Sequence, residues 1–321
     1  MRLKPAAIGR RCALPVAWGA VVILFGSIES STFLTAANFQ TIFGSQTVLV
    51  VVTLGLLIPL TAGDYDLSVG SVVSLSAMVV ALLNVDHGWA IGWAILAGVL
   101  SGAAVGLANG ALVALLGLDS FVATLGSSAF VAGVVLWISG SRTVGGVSQD
   151  LVNPVIVRQL LGIPLGFYYG FALCLVLWYV LEYTPAGRRL LFVGRGRSVS
   201  RLSGVRVERV RLAAFLASGT ISGVAGVLYA GTTGGADPSS GATFLLPAFA
   251  AAFLGATSIV PGRFNPWGSI VAVYFLVTGI TGLQLLGVES FVQQLFYGGA
   301  LVVALALSRL VDGRQADNLE G

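Results

Sequence analysis

The chain has 321 residues, 56% hydrophobic and 9% charged, with a mean hydropathy of +0.95. Ordinary soluble domains carry roughly 25% charged residues, so 13 acids and 17 bases cannot clothe a water-facing surface of this size. A soluble globular enzyme is excluded. The composition predicts an all-α polytopic membrane protein, since lipid cannot satisfy an open backbone.

A membrane helix needs roughly 20 mostly apolar residues. Ten segments qualify in chain order: 13–29, 42–60, 66–84, 89–115, 120–139, 165–182, 211–231, 243–258, 267–285 and 290–308. The fourth is long and the eighth short. The first follows a basic N-terminus and could pass for a secretory leader, but no small-x-small site precedes a soluble domain, so an uncleaved span is expected. Short loops rich in Lys and Arg stay in the cytoplasm. With ten spans and the N-terminus inside, fifteen of the seventeen bases fall on the cytoplasmic side, leaving only Arg142 and Arg158 outside. Both termini are therefore expected in the cytoplasm, with 311–321 as a short tail and the whole chain as one transmembrane domain. The same distribution argues against nucleic acid as the partner of a chain whose pI is 9.3.

Between the second and third spans, TAGDYDLSVGSVV (61–73) places two carboxylates, Asp64 and Asp66, between uncharged runs. Intramembrane ionisable residues are costly and default to functional hypotheses. Two readings stand: Asp66 caps a helix beginning near Leu67 and Ser68, or the pair contacts a substrate. With Ser68, Asn109, Thr124 and Gln284, they form the set of polar groups that could line a translocation pathway. The single histidine, His87, lies in a short polar gap and reads as a loop residue. A metal site needs several convergent ligands, and none is predicted. Cys12 and Cys174 lie in apolar segments and imply no disulfide framework. Gly102, Gly106 and Gly110 recur every four residues, as do Gly219 and Gly223, with Gly226 following on that side. Such faces predict close helix packing.

After the sixth span comes the arginine-rich segment TPAGRRLLFVGRGRSVSRLSGVRVERVRLAAF (184–215), with eight arginines. Its charge fixes topology and meets anionic lipid. The interleaved Leu, Val and Gly go beyond that need and predict a docking segment, with a short amphipathic helix over 198–202 stopped by Gly204. A faint internal repeat is also present. LLGLDSFV (115–122) is similar to LLGVESFV (285–292), and VGSVV (69–73) to WGSIV (267–271), as in transporters built from repeats. No phosphate loop, nucleophile elbow, HExxH or CxxC is found, so no catalysis is expected of this chain.

At these residues the sequence resembles the membrane permeases of bacterial ribose-type ABC sugar importers. GDYDLSVGSVVSLSA (63–77) looks like their GGIDLSVGS signature, and FVATLGSSAFVAGVVLWISGSRTV (121–144) like their F-x-x-T-L-G block. FVGRGRSVSRLSGV (192–205) is similar to their cytoplasmic G-x-N-x-x-A-A-R-L-S-G-I loop, and FLGATSIVPGRFNPWGS (253–269) to their L-G-G-T-S block. The resemblance runs from about residue 38 to 310.

It implies a homodimeric, non-catalytic pore in the bacterial inner membrane that passes a monosaccharide or related polyol. ATP and Mg would belong to a separate cytoplasmic ABC ATPase, with no cofactor on this chain, and an extracytoplasmic sugar-binding protein would deliver the solute. The coupling loop spans 184–210. Gly194, Arg195, Ser198, Ser200, Arg201, Leu202, Ser203, Gly204 and Val205 match the segment that couples to the ATPase, and 141–164 is the candidate contact for the binding protein. Gly196 stands where the family usually has Asn, Ser198 where an acid is common and Ala132 where many members carry Arg. Asp64-Tyr65 replaces Gly-Ile. These departures bear on specificity and coupling strength. A permease for branched-chain amino acids or nucleosides is the alternative within the superfamily. A proton-coupled carrier is the alternative outside it, and would need buried titratable groups along its path.

Overall fold

The structure, a computed structural model, describes residues 5–289 and 291–317, with side-chain environments over 11–289 and 291–306. Arg2, Lys4 and the tail residues 318–321 lie outside the described residues. In chain order the helices are α1 (Pro5–Ile28), α2 (Ser30–Phe33), α3 (Ala36–Ser45), α4 (Thr47–Thr61), α5 (Val69–Ala81), α6 (Ile91–Gly110), α7 (Ser120–Ser139) and α8 (Gln149–Val152). They continue with α9 (Leu165–Tyr183), α10 (Pro185–Arg195), α11 (Arg197–Leu202), α12 (Val207–Thr233), α13 (Ala242–Gly255), α14 (Pro266–Leu285) and α15 (Phe291–Asp317). Among the described residues, four two-residue strands, β1 (Val144–Gly145), β2 (Gln159–Leu160), β3 (Ile163–Pro164) and β4 (Gly235–Ala236), pair antiparallel as β1–β4 and β2–β3.

Among the described residues, eight helical segments are long and apolar enough to cross a membrane, and Ala242–Gly255 and Phe291–Ala306 are shorter apolar helices. Together they occupy the ten predicted segments of an all-α polytopic membrane protein. The second span begins earlier than expected, at Ala36. The region 311–317, read from sequence as part of a tail, continues α15 as helix.

The chain divides into two compact units, Thr47–Leu245 and Met1–Gln46 with Leu246–Gly321. In the larger unit α12 packs against α4, α5 and α6. Helix α4 is apolar all round and buried along its whole length, as such a helix must be inside a larger bundle. Glycines set the α6–α12 distance. A Cβ on Gly102 would lie 2.5 Å from the Gly219 carbonyl oxygen, and one on Gly219 2.4 Å from that of Gly102. The predicted faces thus meet each other. Gly226, on the same side of α12, is packed as closely, but against Ser76 and Val73 of α5. The outer surfaces of α6, α7 and α9 expose Leu100, Phe130, Trp137 and Val176, as a lipid solvent permits.

In the smaller unit α1 packs on α14, where Trp18 Nε1 donates to Thr278 Oγ1 at 2.9 Å. Pro266 opens α14, and Asn265 caps it by accepting from the Gly268 N–H at 2.7 Å.

Candidate functional site

The site is built around the break between α4 and α5. Helix α4 ends when Gly63 adopts φ +78° and the Asp64 N–H reaches back to the Pro59 carbonyl at 2.9 Å, a left-handed stop that glycine accepts without strain. The five residues from Asp64 to Ser68 then cross between helices, and nearly every polar group in them is held by another element. Asp64 is 1% exposed. Its carboxylate takes two bonds from Arg211 of α12, Nε to Oδ2 and Nη2 to Oδ1, both at 2.7 Å. Arg197, the first residue of α11, adds Nη2 to Oδ1 at 2.8 Å and to the Gly63 carbonyl at 3.0 Å. Arg211 also donates to the Val113 carbonyl at 3.2 Å. A buried carboxylate is tolerable only with such charge-assisted partners.

Asp66 is buried beside it. Oδ1 accepts from the Ser68 N–H at 3.0 Å and the Ser68 hydroxyl at 2.6 Å, and Oδ2 accepts from Ser218 of α12 at 2.7 Å. Helix α5 starts at Val69 with Ser68 in the cap position. Asp66 therefore shapes the turn before the helix and ties it to α12, a broader task than the predicted cap. Asn109 Nδ2 donates to Ser68 Oγ at 2.8 Å, while Asn109 Oδ1 has no partner among the described residues. From α7, Thr124 Oγ1 accepts the Leu67 N–H at 3.0 Å and Ser120 Oγ accepts the Tyr65 N–H at 3.1 Å. Asp64 with its arginines, Asp66 with Ser68, Asn109 and Ser218, and Thr124 on the intervening backbone thus form neighbouring buried clusters on the same break. Gln284 is exposed near the end of α14, in the smaller unit.

The arginine-rich segment joins these clusters from the other side. Helix α10 buries Gly187, Leu190 and Val193, and its Gly194 lies so close to α4 that a Cβ would stand 2.1 Å from the Thr61 carbonyl oxygen. Arg195 closes α10, and α11 follows where a helix is predicted. Gly204 stops the segment at φ +80°. Ser200 is buried, its hydroxyl 2.9 Å and 2.8 Å from the Phe192 and Gly196 carbonyl oxygens. Arg201 pairs with Glu208. Ser198, Ser203 and Gly204 are exposed and Val205 half-buried. Val199 is 58% and Leu202 89% exposed, apolar side chains offered outward from an otherwise basic segment.

A cavity of about 240 Å³ opens between α5, α7 and the segment leading into α13. Ser71, Ser74, Ser128, Ser239 and Ala132 help to line it, and none of its lining residues is ionisable. Ser74 Oγ accepts the Gly241 N–H at 2.9 Å. Sequence reasoning missed this cavity, whose serines come from three separated stretches, although Ala132 was noted as a departure. It also missed Arg197 and Arg211 as partners of Asp64.

At the far end of the same unit, 141–164 is clasped to its neighbours. Arg142 pairs with Asp86 at 2.5 Å, Thr143 donates to Asp237 at 2.8 Å, and the Ser148 N–H to Asn84 at 2.9 Å. Hydrogen bonds from the Ser239 hydroxyl and N–H, then from Thr143, hold the Asp237 carboxyl below its ordinary range. The β2–β3 hairpin carries Leu161, 91% exposed, at its tip.

Residues 38–305 match the family described as branched-chain amino acid transport system / permease component. The chain belongs to this permease family. Similar proteins include the D-allose transport system permease protein of Escherichia coli K12, 34% identical over 291 residues, 91% of this chain and 89% of that one. The ribose import permease protein of Bacillus subtilis 168 is 31% identical over 293 residues, 90% of each chain. The autoinducer 2 import system permease protein of Photorhabdus laumondii is 26% identical over 297 residues, 92% of this chain and 87% of that one. No solved structure matches the permease.

Proposed function

We propose that this permease is the membrane subunit of an ATP-driven importer that passes a monosaccharide or related polyol into the cytoplasm. A cytoplasmic ABC ATPase carries ATP and Mg, a second copy of the chain completes the pore, and an extracytoplasmic sugar-binding protein delivers the solute onto 141–164. The observation that carries this reading is the fastening of the arginine-rich segment to the α4–α5 break. Gly194 rests on the Thr61 carbonyl, and Arg197 shares the Asp64 carboxylate with Arg211 of α12. A push or pull on α10 and α11 from a cytoplasmic partner therefore reaches α4, α5 and α12 through one buried junction. The outward Val199 and Leu202 supply the docking surface, together with Gly194, Arg195, Ser198, Arg201, Ser203, Gly204 and Val205 around them. In this reading Asp64, Asp66, Ser68, Asn109 and Thr124 hold the junction instead of touching solute.

Sugar is favoured over an amino acid by the names of the similar proteins and by the cavity beside α5. Its hydroxyls can exchange hydrogen bonds with a neutral polyol, but it offers no charge to a zwitterion, whose ionised ends need partners when desolvated.

The deciding experiment is labelled uptake in cells with and without the chain, all partners present. The panel holds pentoses, hexoses, polyols, a nucleoside and a branched-chain amino acid, under ATP depletion and, separately, collapse of the proton gradient. Chain-dependent uptake of one sugar that needs ATP and survives gradient collapse is expected. Gradient-dependent uptake refutes the ATP-driven reading, and amino-acid uptake refutes the sugar.

A further inference from the structure

A second cavity in the larger unit has a different character. It is a groove of about 430 Å³ between α9, α10 and α12, floored by Ile58 of α4. Along α12 its wall runs from Arg209 and Val210 through Ala213 and Ala217 to Ile221, with Leu177 and Val180 opposite on α9. At one end stand Arg189 of α10 and Arg209, both exposed, and neither has a hydrogen-bond or ion-pair partner among the described residues. Of the other bases in this segment, Arg201 holds Glu208, Arg197 and Arg211 hold Asp64, and Arg188, Arg195 and Arg206 do not line the groove. Glu182 is adjacent to the lining residue Leu181 but does not line the groove.

We infer that this groove seats one anionic glycerophospholipid of the cytoplasmic leaflet, its phosphate between Arg189 and Arg209 and an acyl chain laid along α12. Charge and length both support this. From Val210 to Ile221 the helix advances about 16 Å at 1.5 Å per residue, close to half of the roughly 30 Å hydrocarbon core. The apolar part is thus one leaflet deep, and the paired cations stand at the end that the positive-inside distribution assigns to the cytoplasm. Basic pockets between membrane helices on that side are suited to anionic headgroups. A zwitterionic lipid offsets its phosphate with its own ammonium, so it gains less from two guanidiniums than a lipid of net negative charge. The seated lipid braces α10 against α12 next to the junction at Gly194, so it occupies the hinge between the docking segment and the bundle.

The test is native mass spectrometry of the full-length protein exchanged into detergent with equal phosphatidylglycerol and phosphatidylcholine of identical chains. One phosphatidylglycerol per chain is expected to persist, preferred about tenfold or more over phosphatidylcholine. The double variant Arg189→Gln/Arg209→Gln should lose that preference, while Arg195→Gln/Arg206→Gln, which leaves the groove intact, should keep it. Ala217→Leu, with both arginines present, should expel the lipid by filling the apolar wall, so the inference stays testable if the charge variant folds poorly. Inorganic phosphate at millimolar concentration should not displace it, since the chain supplies much of the attachment. Unchanged preference in Arg189→Gln/Arg209→Gln, equal loss in the control pair, or displacement by phosphate each overturns the inference. A groove closed by a second copy of the chain, shown by dimers that form only when lipid is stripped and that Ala217→Leu abolishes, overturns it as well.

Discussion

Asp64 is a carboxylate between uncharged sequence runs whose two oxygens are filled by three guanidinium bonds. The partners are unequal. Arg211 is 9% exposed at its side chain and Arg197 42%. Removing the acid strands Arg211 among apolar helices, and breaking a buried pair in this way costs about 3–5 kcal/mol. Asp64→Ala should therefore unfold at markedly lower denaturant in detergent. Arg197→Ala should cost about 1 kcal/mol or less, because its pair is open to solvent screening. Uptake should fall in both variants, and in Arg197→Ala it should fall without the loss of stability, because the link from α11 to the break is cut while the core pair survives. Equal stability losses in the two variants would refute the division of labour. The aspartates drew attention in the sequence because charge is expensive in lipid. Their partners left no such signal: Arg197 and Arg211 stand 133 and 147 residues away in a run of arginines that topology alone could explain.

At the scale of elements, helix existence was legible because roughly 20 apolar residues can be little else in a bilayer. The ends of elements were less so. Helix α15 runs on through 311–317, where polar residues read as tail. The glycine faces were legible as spacing, but not which face meets which. The local repeat has a physical counterpart: Gly117 and Gly287, third in each LLG motif, adopt φ +74° and +79°, so the shared letters encode the same left-handed turn. Close packing makes a sharp prediction at Gly194. Adding a methyl drives it into the Thr61 carbonyl oxygen, a backbone atom that can move only with α4. Gly194→Ala should lower uptake strongly, with a stability loss of about 1–3 kcal/mol from overpacking. Leu202 tests the opposite face of the same segment. It is 89% exposed, so Leu202→Asp should leave stability within about 0.5 kcal/mol and abolish uptake. Pull-down of the partner ATPase by the wild type and not by the variant is the matching readout, and normal uptake in Leu202→Asp would sink the docking role.

For the whole molecule, the orientation proposed rests on where the bases lie, not on any contact within the bundle. Fifteen of seventeen fall on one side of a ten-span layout, and moving them outward would oppose the bias that fixes insertion. The two exceptions, Arg142 and Arg158, belong to the clasped 141–164 segment, where Arg142 is neutralised by Asp86. Two exposed positions in the larger unit then report opposite faces: Leu161 at the β2–β3 tip, and Ser203 beside Gly204 after α11. In a Cys12→Ser background, which removes the exposed native thiol and leaves the buried Cys174, Leu161→Cys should react with a membrane-impermeant maleimide in intact spheroplasts. Ser203→Cys should react only after permeabilisation. The lipid groove belongs to the same frame, since its arginines must lie at the cytoplasmic end to meet that leaflet's headgroups. Labelling of Ser203→Cys from outside would reverse the topology, place the docking segment beyond reach of any ATPase and remove the basis for both proposals at once. Protection of both sites until permeabilisation would instead fix the Ser203 side and withdraw 141–164 as the surface that meets a binding protein.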